Sequence, residues 1–449
     1  MNAHLRRGAC PGLSQPMATG DGLLARIRPT GATISCAAFA ALCVAARSCG
    51  NGVIEITSRG SLQIRGLTES SAQRFATTVG RIDIAFCEGP PVLINSLAGL
   101  DPDEALDVST VAGELRRALA ATAFSADIGP KVSIALDGGG VLHLDAVAAD
   151  VRMRAEDGGI RLHVAVGGDG DSATHLGAVA TEHAVEAAMN IMRMIAAAGR
   201  TARARDIAAA GGAAAFRQAI ADILIDVPRA PRRSPAEPVG THVLDGESCA
   251  VGLGLAFGHA DSTALEKLAH AASLAGATGL RTAPGHAILV VGLPGDTAAR
   301  LTDIAQQLGF IVSAQDSRRQ IIACAGAPIC AAAEIATRAV APILASDAVI
   351  SGHAAPMVHV SGCAKGCACP RSMPLTVVGI GGRCGVVVNG SAHDQPLVTL
   401  PPEALPAVLS RVTAMVQRMR AAEESAVEVL SRLDREQIAR MMLGEATDA

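Results

Sequence analysis

IIACAGAPICAAAEIATRAVAPILASDAVISGHAAPMVHVSGCAKGCACP, running from Ile321 to Pro370, decides how the rest of the chain reads. It holds two close cysteine pairs. Cys324 and Cys330 have five residues between them, Cys363 and Cys367 have three, and Cys369 follows at once. Four thiolates in two pairs suit an iron–sulfur cluster or a zinc ion. The first pair lies on a Gly/Pro turn ahead of an Ala-rich helix. The second follows a strand, Met357 to Ser361, in a Gly-rich turn. Backbone amides exposed by such turns can hydrogen-bond sulfur. The plainer alternative is a set of buried free cysteines, a common core residue; two spaced pairs with glycines at both turns weigh against it. Spacing alone leaves zinc open, although two-residue gaps are more typical of that metal.

Outward from that stretch, composition bounds the answer. The chain has 449 residues, enough for two or three domains with substantial cores. Half is apolar and 18% is charged, so it is globular rather than disordered. No window of eighteen uninterrupted apolar residues occurs, and no membrane span is expected. With no Trp or Tyr and only seven Phe, the core must be built from small aliphatics. A net charge of −4 without a basic tract argues against a nucleic-acid partner. The start, MNAHLRRGACPGLSQPMATG, lacks the apolar stretch of a secretory signal. Twelve cysteines in that setting point to reduced thiols and metal ligation, and to a cytoplasmic protein.

Taken in order, the pattern predicts a strand at Gly22 to Arg28, a helix at Ser35 to Arg47 with Ser35 as N-cap, and strands at Val53 to Thr57 and Leu62 to Arg65. A helix at Glu69 to Val79 and a strand at Asp83 to Phe86 complete a ferredoxin-like half. The pattern returns later: a strand at Val251 to Phe257, a helix at Ser262 to Leu274, and GLRTAPGHAILVVGL at 279–293 against NGVIEITSRGSLQIRGL at 51–67. This match sets Thr57-Ser58-Arg59-Gly60 on Thr282-Ala283-Pro284-Gly285 and reads as duplication of a half-protein. The first half leads into an α/β region with a helix at Asp101 to Ala121, strands at Val132 to Leu136 and Val151 to Val164, and a helix at Thr181 to Ala198. The fold class is therefore α+β: two ferredoxin-like half-domains, each followed by a larger α/β domain. The expected boundaries are 1–90 and 91–226, a Pro/Arg-rich linker at 227–240, then 241–314, the cysteine-bearing 315–400, and a helical tail at 401–449.

Arg26, Arg28, Arg59 and Arg65 lie on or between strands of the first half, with Arg26 and Arg28 sharing one face, as do Gln63 and Arg65. A basic cluster on a sheet suits a polycarboxylate ligand, since guanidinium pairs with carboxylate bidentately; the alternative is a solvated face. The matching position of the second half is Pro284, which hints at one working pocket. Lys131, at a strand start, is a further candidate against the commoner solvated reading. His353 and His359 read as core or surface residues. Cys10 is a lone cysteine that supports little, and Cys36, Cys43, Cys49, Cys87, Cys249 and Cys384 read as packing residues.

These residues carry a resemblance. The cysteine arrangement resembles that of the sulfite and nitrite reductase family, which holds a 4Fe-4S cluster beside sirohaem. Thr57-Ser58-Arg59 resembles its tetrapyrrole-contacting Thr-Arg motif, and NSLAGLDP at 95–102 resembles its Asn-Pro-Leu-Ala-Gly segment. The duplicated order also matches. Within the family, PMATGDGLLARIRP at 16–29, TSRGSLQIRGL at 57–67 and HVSGCAKGCACP at 359–370 look like the branch that serves aerobic cobalamin biosynthesis. Departures from the reductases agree. Pro90 and Pro91 stand where an Arg-Asn pair belongs, Lys131 is followed two residues on by Ser133 rather than Lys, and Cys-Ala-Lys-Gly-Cys encloses Lys365. Cys369 stands where that branch is expected to have His.

The resemblance implies an oxygen-dependent monooxygenase. Its substrate would be precorrin-3A, hydroxylated at a meso carbon with closure of a lactone. Catalytic Arg59 and Lys131, and substrate-binding Arg26, Arg28, Arg59, Gln63, Arg65, Lys131 and Lys365, would meet the tetrapyrrole's carboxylates. Cys324, Cys330, Cys363 and Cys367 would hold the 4Fe-4S cluster, with Cys367 facing a tetrapyrrole pocket. A non-haem iron of unidentified ligands, dioxygen, and an electron donor drawing on NADH as external reductant complete the set; no nucleic acid or membrane partner is implied. The alternatives are a sirohaem-dependent sulfite or nitrite reductase, and a non-catalytic zinc- or cluster-binding protein.

Overall fold

A computed structural model describes residues 11–122, 127–156, 158–346, 357–421, 424 and 426–444. Cys10 and His353 lie outside the described residues. The chain divides into two compact bodies: Met1–Met17, Leu23–Leu255 and His259–Val312 form one, and Ala18–Gly22, Ala256–Gly258 and Ser313–Ala449 the other. Among the described residues, no helix is long and apolar enough to cross a membrane.

The first body holds both ferredoxin-like halves. The helix Cys36–Cys49 starts where the Ser35 hydroxyl accepts from the Ala38 amide at 3.1 Å. It buries Phe39, Leu42, Cys43 and Ala46, an i, i+3, i+4, i+7 stripe. Burial pushes the Cys43 thiol up to about 12, which suits a packing residue. Thr68 and Ser71 form a reciprocal capping box on Glu69–Val79. The strands Gly22–Ile27, Leu62–Leu67, Val53–Ile56 and His259–Asp261 lie side by side in that order. The expected fourth strand at 83–86 is not one; only Phe86 makes a bridge, to Pro29. The opposite edge of the sheet, beside Val53–Ile56, is extended by His259–Asp261 from the other half, which satisfies the edge hydrogen bonds of Val53–Glu55. The exchange is reciprocal, because Ile34 bridges Leu280.

The second half has strands Gly240–Val243, Ser248–Gly254, Ala287–Pro294 and Gly279–Ala283, in that order. Its ladders correct the sequence match by one residue. Ile54 pairs Ile64 as Leu280 pairs Val290, and Ala25 pairs Ile64 as Val251 pairs Val290. Ala260 pairs Ile54 as Ile34 pairs Leu280. Structural equivalence therefore sets Ser58 on Pro284, Arg59 on Gly285 and Gly60 on His286. Two local identities, Thr57 with Thr282 and Gly60 with Gly285, misled the alignment, because turn residues carry less register information than the core face does. The second half still lacks a charge at the Arg59 position.

The α/β region of the first body is a five-stranded sheet in the order Val92–Ile94, Ile134–Asp137, Ala149–Ala155, Arg161–Gly168, Thr174–Ala180. Its first two pairings are parallel and its last two antiparallel. The single strand expected over 151–164 is two, because Gly158 and Gly159 take left-handed φ of 86° and 66° and turn the chain back. The expected helix from Asp101 begins only at Ser109. Ahead of it, the Asp101 carboxylate accepts from the Asp103 and Val141 amides, and this ties 101–106 into a turn. Residues 227–240 do not hang free as a spacer. Arg233 pairs with Asp137 and Asp145, Arg154 donates to Pro231 O, and Arg229 donates to the Gly170 and Asp171 carbonyls, strapping the segment to this region.

In the second body, strands Ile321–Ala323, Val358–Ser361, Met373–Ile380, Arg383–Gly390 and Val398–Leu400 repeat the same parallel, parallel, antiparallel, antiparallel sequence. The helix Leu405–Met419 buries Leu405, Val408, Leu409, Val412 and Met415 in the same core as Val358, Val360 and Val377. The tail is thus a layer of this body rather than an appendage.

Candidate functional site

The cysteine pairs follow the first two parallel strands of the second body, at their carboxyl ends, where open α/β sheets place ligands. Cys324 leaves the strand Ile321–Ala323, and Cys363 leaves Val358–Ser361. The two loops are laced together. The Gly362 amide donates to Cys324 Sγ at 3.1 Å, and the Glu334 amide to Gly362 O at 2.7 Å. Thr337 Oγ1 donates to Cys324 O at 2.6 Å, and Ser361 Oγ to Cys363 O at 2.8 Å. Glycine is required at the crossing. A Cβ on Gly326, at φ 68°, would meet Thr337 Oγ1 at 2.2 Å, and one on Gly362 would meet Ala333 Cβ at 2.6 Å. Burial pushes the Cys324 thiol up, against the pull of the Gly362 and Gly326 amides. Cys330 and Cys363 are half-buried, Cys367 and Lys365 are exposed, and Cys369 is buried. Among the described residues, no three cysteines bring their sulfurs within 4.8 Å of one another. A tetrahedral zinc site needs four donors at about 2.3 Å from one ion, and hence closer sulfurs than that.

The basic residues of the first body fall into two groups. Arg26, Gln63 and Arg65 form one row across the ferredoxin-like sheet, completed by Glu55. Arg26 Nε donates to Gln63 Oε1 at 3.1 Å, Gln63 Nε2 to Glu55 Oε2 at 2.5 Å, and Arg65 Nε to Glu55 Oε1 at 2.7 Å. Glu55, Gln63 and Arg65 are all buried. The ladder equivalents of Arg26, Gln63 and Arg65 are Gly252, Leu289 and Val291, so only one half keeps this row. Glu55 was not singled out from the sequence, although a lone acid in the apolar strand Val53–Ile56 is a signal that it pairs with something buried.

Arg28, Arg59 and Lys131 belong to the second group. Arg28 lines a cleft of about 280 Å³ with Ser14, Glu88, Pro130 and Arg200. Arg200 was not anticipated, because it follows an Ala-rich helix far away in sequence. Arg59 Nη2 donates to Ala148 O at 2.8 Å, just ahead of Ala149–Ala155. Lys131 is exposed just ahead of Ile134–Asp137, and the register Ile134↔Val151 puts both at one end of the sheet. At the opposite end, Asn95 donates to Asp137 Oδ1 at 3.2 Å and accepts from the Gly138 amide at 2.7 Å.

Asp137, His143 and Asp145 converge closely enough to hold a cation. They do not fit an iron. Arg233 donates to both carboxylates, and Arg152 also donates to Asp145. Burial pushes the Asp145 carboxyl up, and the Arg233 hydrogen bonds and charge pull it below the usual carboxylate range. The acceptors are already occupied by guanidinium.

The nitrite/sulfite reductase ferredoxin-like half domain family matches residues 15–78. The solved structure of Mycobacterium tuberculosis NirA protein is similar in fold, with a TM-score of 0.77 at 21% identity over 93% of this chain and 84% of that one. The chain thus has a nitrite/sulfite reductase-like fold. A curated protein from Sinorhizobium sp, precorrin-3B synthase, is 39% identical over 433 residues, which cover 96% of this chain and 93% of that protein. The chain belongs to the precorrin-3B synthase family, and so is an oxidoreductase enzyme of cobalamin biosynthesis.

Proposed function

We propose that this chain converts precorrin-3A to precorrin-3B with dioxygen. One oxygen atom enters the macrocycle as a meso hydroxyl, with lactone closure by an acetate side chain. The other leaves as water, which takes two electrons from an external reductant and two protons. The observation that carries the proposal is the likeness to precorrin-3B synthase along nearly the whole chain.

Cys324, Cys330, Cys363 and Cys367 fit a 4Fe-4S cluster: four sulfurs on two loops, an amide donor already on Cys324 Sγ, and glycines where a side chain would fill the crossing. When bound there, the cluster supplies one-electron transfer. The substrate is a tetrapyrrole rimmed with acetates and propionates, and it needs fixed cations. In this reading Arg28, Arg59, Lys131 and Arg200 bind its carboxylates. Arg26 and Arg65 act through the buried row: Glu55 holds Arg65, and Gln63 holds Arg26, in single orientations before the ligand arrives. Among the described residues, no set fits the non-haem iron, and no step is assigned to it.

The test is anaerobic purification, then addition of precorrin-3A, reductant and labelled dioxygen, read by mass spectrometry. Gain of one labelled oxygen atom is expected. An unchanged mass with iron and acid-labile sulfide intact would refute the proposal. A sirohaem optical spectrum in the purified protein would favour the reductase reading instead.

A further inference from the structure

His286 has a backbone that its side chain makes costly. Its φ is 62°, in the left-handed region, where a Cβ crowds the following carbonyl. The equivalent residue of the first half is Gly60, at φ 76°, where no such crowding arises. The duplicated turn therefore accepts glycine, and the second half carries an imidazole there instead. That choice has one visible return. His286 Nδ1 lies 2.6 Å from Ile56 O, and since the carbonyl can only accept, Nδ1 donates.

Ile56 ends the strand Val53–Ile56 and leads directly into Thr57-Ser58-Arg59-Gly60. The same turn of the second half grips that loop once more: the Gly285 amide donates to Ser58 O at 3.1 Å, the hydrogen bond of the Arg59–Pro284 bridge. His286 O is itself fixed by the Leu255 amide at 2.9 Å. The turn is thus anchored to its own sheet and clasps the Arg59 loop from outside.

We propose that His286 is a positioning residue for Arg59. The second half, which lacks a charge at the Arg59 position, retains a left-handed histidine so that its ring can fix the entry to the Arg59 loop. This aims the guanidinium at a substrate carboxylate. The proposal rests on the reading that Arg59 contacts the substrate, and the experiment separates the two.

Tetrapyrrole binding is measured by titration for the wild-type enzyme and for Arg59→Ala, His286→Gly, His286→Asn and the Arg59→Ala/His286→Gly double variant, with iron content and thermal stability as controls. Glycine relieves the backbone and removes the donor. Asparagine tolerates left-handed φ and places an N–H where Nδ1 stands. Loss of one hydrogen bond predicts roughly fivefold weaker binding for His286→Gly. His286→Asn should bind as the wild type does. In the Arg59→Ala background, His286→Gly should add nothing, because its effect runs through Arg59. If Arg59→Ala weakens binding and His286→Gly does not, the positioning role is overturned. It is equally overturned if the two effects simply add. If Arg59→Ala itself binds normally, the reading of Arg59 fails first.

Discussion

His359 sits in the strand that leads to Cys363, fully buried, and among the described residues neither ring nitrogen has a hydrogen-bond partner. Burial lowers its pKa from the ordinary value near 6.5 to about 4. The sign of the consequence follows from linkage. Below pH 6.5 the unfolded chain takes up a proton at this position that the folded chain refuses. Stability is therefore fully present above 6.5 and drains away as pH falls toward 4, by about 1.4 kcal/mol per pH unit. Between pH 6.5 and 5 the loss is about 2 kcal/mol. Leucine at 359 is of comparable size, removes the proton site and also removes two stranded polar atoms, which cost about 1–3 kcal/mol when buried unpaired. Urea unfolding of the wild type and of His359→Leu at pH 7, 6 and 5 measures both effects. The variant should be more stable at pH 7 by about 1 kcal/mol, and its lead should widen by roughly 2 kcal/mol at pH 5. A lead that stays flat with pH would show that the ring is not the desolvated neutral group described. A variant weaker than wild type at pH 7 would show that the nitrogens have partners.

Cys363→Ser should lose acid-labile sulfide and most bound iron while keeping its far-ultraviolet circular dichroism; full iron content would remove Cys363 from the ligand set. Gly326→Ala should also load less iron, since its Cβ would stand 2.2 Å from Thr337 Oγ1 at a left-handed φ; normal loading would show that the loop crossing is not tight. Asp150, 1% exposed, accepts from Arg203 Nε and Nη2 at 2.9 Å each and from the Ser133 and Ala204 amides at 3.1 Å each. Asp150→Ala should destabilise the first body by about 3–5 kcal/mol in denaturant unfolding, and a loss under 1 kcal/mol would refute the buried-pair account.

Much of the architecture was legible because periodicity and caps are local. The helix at Glu69 to Val79 and that at Ser262 to Leu274 fall where the pattern puts them. The duplication was legible too, but its register was not, because Thr57-Ser58-Arg59-Gly60 is turn sequence and the equivalence of Ile64 and Val290 is not visible without the ladders. The edge strand His259–Asp261 was missed for a related reason: it pairs across two hundred residues, and its three residues carry no periodicity of their own. At the site, the cysteine loops were legible from spacing. The supporting groups were not. Glu55, Arg200, Thr337 and His286 gain their meaning only from partners brought in by the fold.

The two α/β sheets share one sequence of ladders, so their loops can be compared strand for strand. After the first strand of the second body comes Cys324; after the first strand of the earlier copy comes Asn95. After the second strand come Gly362-Cys363 and Gly138-Gly139 respectively. In one copy these two carboxyl ends carry sulfur ligands on glycine crossings. In the other, Asn95 bonds Asp137 and the Gly138 amide and ties the same two ends to each other. The half-domains diverge in the opposite sense, since the basic row Arg26–Gln63–Glu55–Arg65 survives only in the first. A buried ionic row is costly to keep unless something uses it, and an aliphatic replacement was available, as Leu289 and Val291 show. The first half-domain therefore keeps an ionic row that its counterpart has replaced with aliphatics, and the second α/β sheet keeps a cysteine where its counterpart uses an asparagine to tie the same two strand ends.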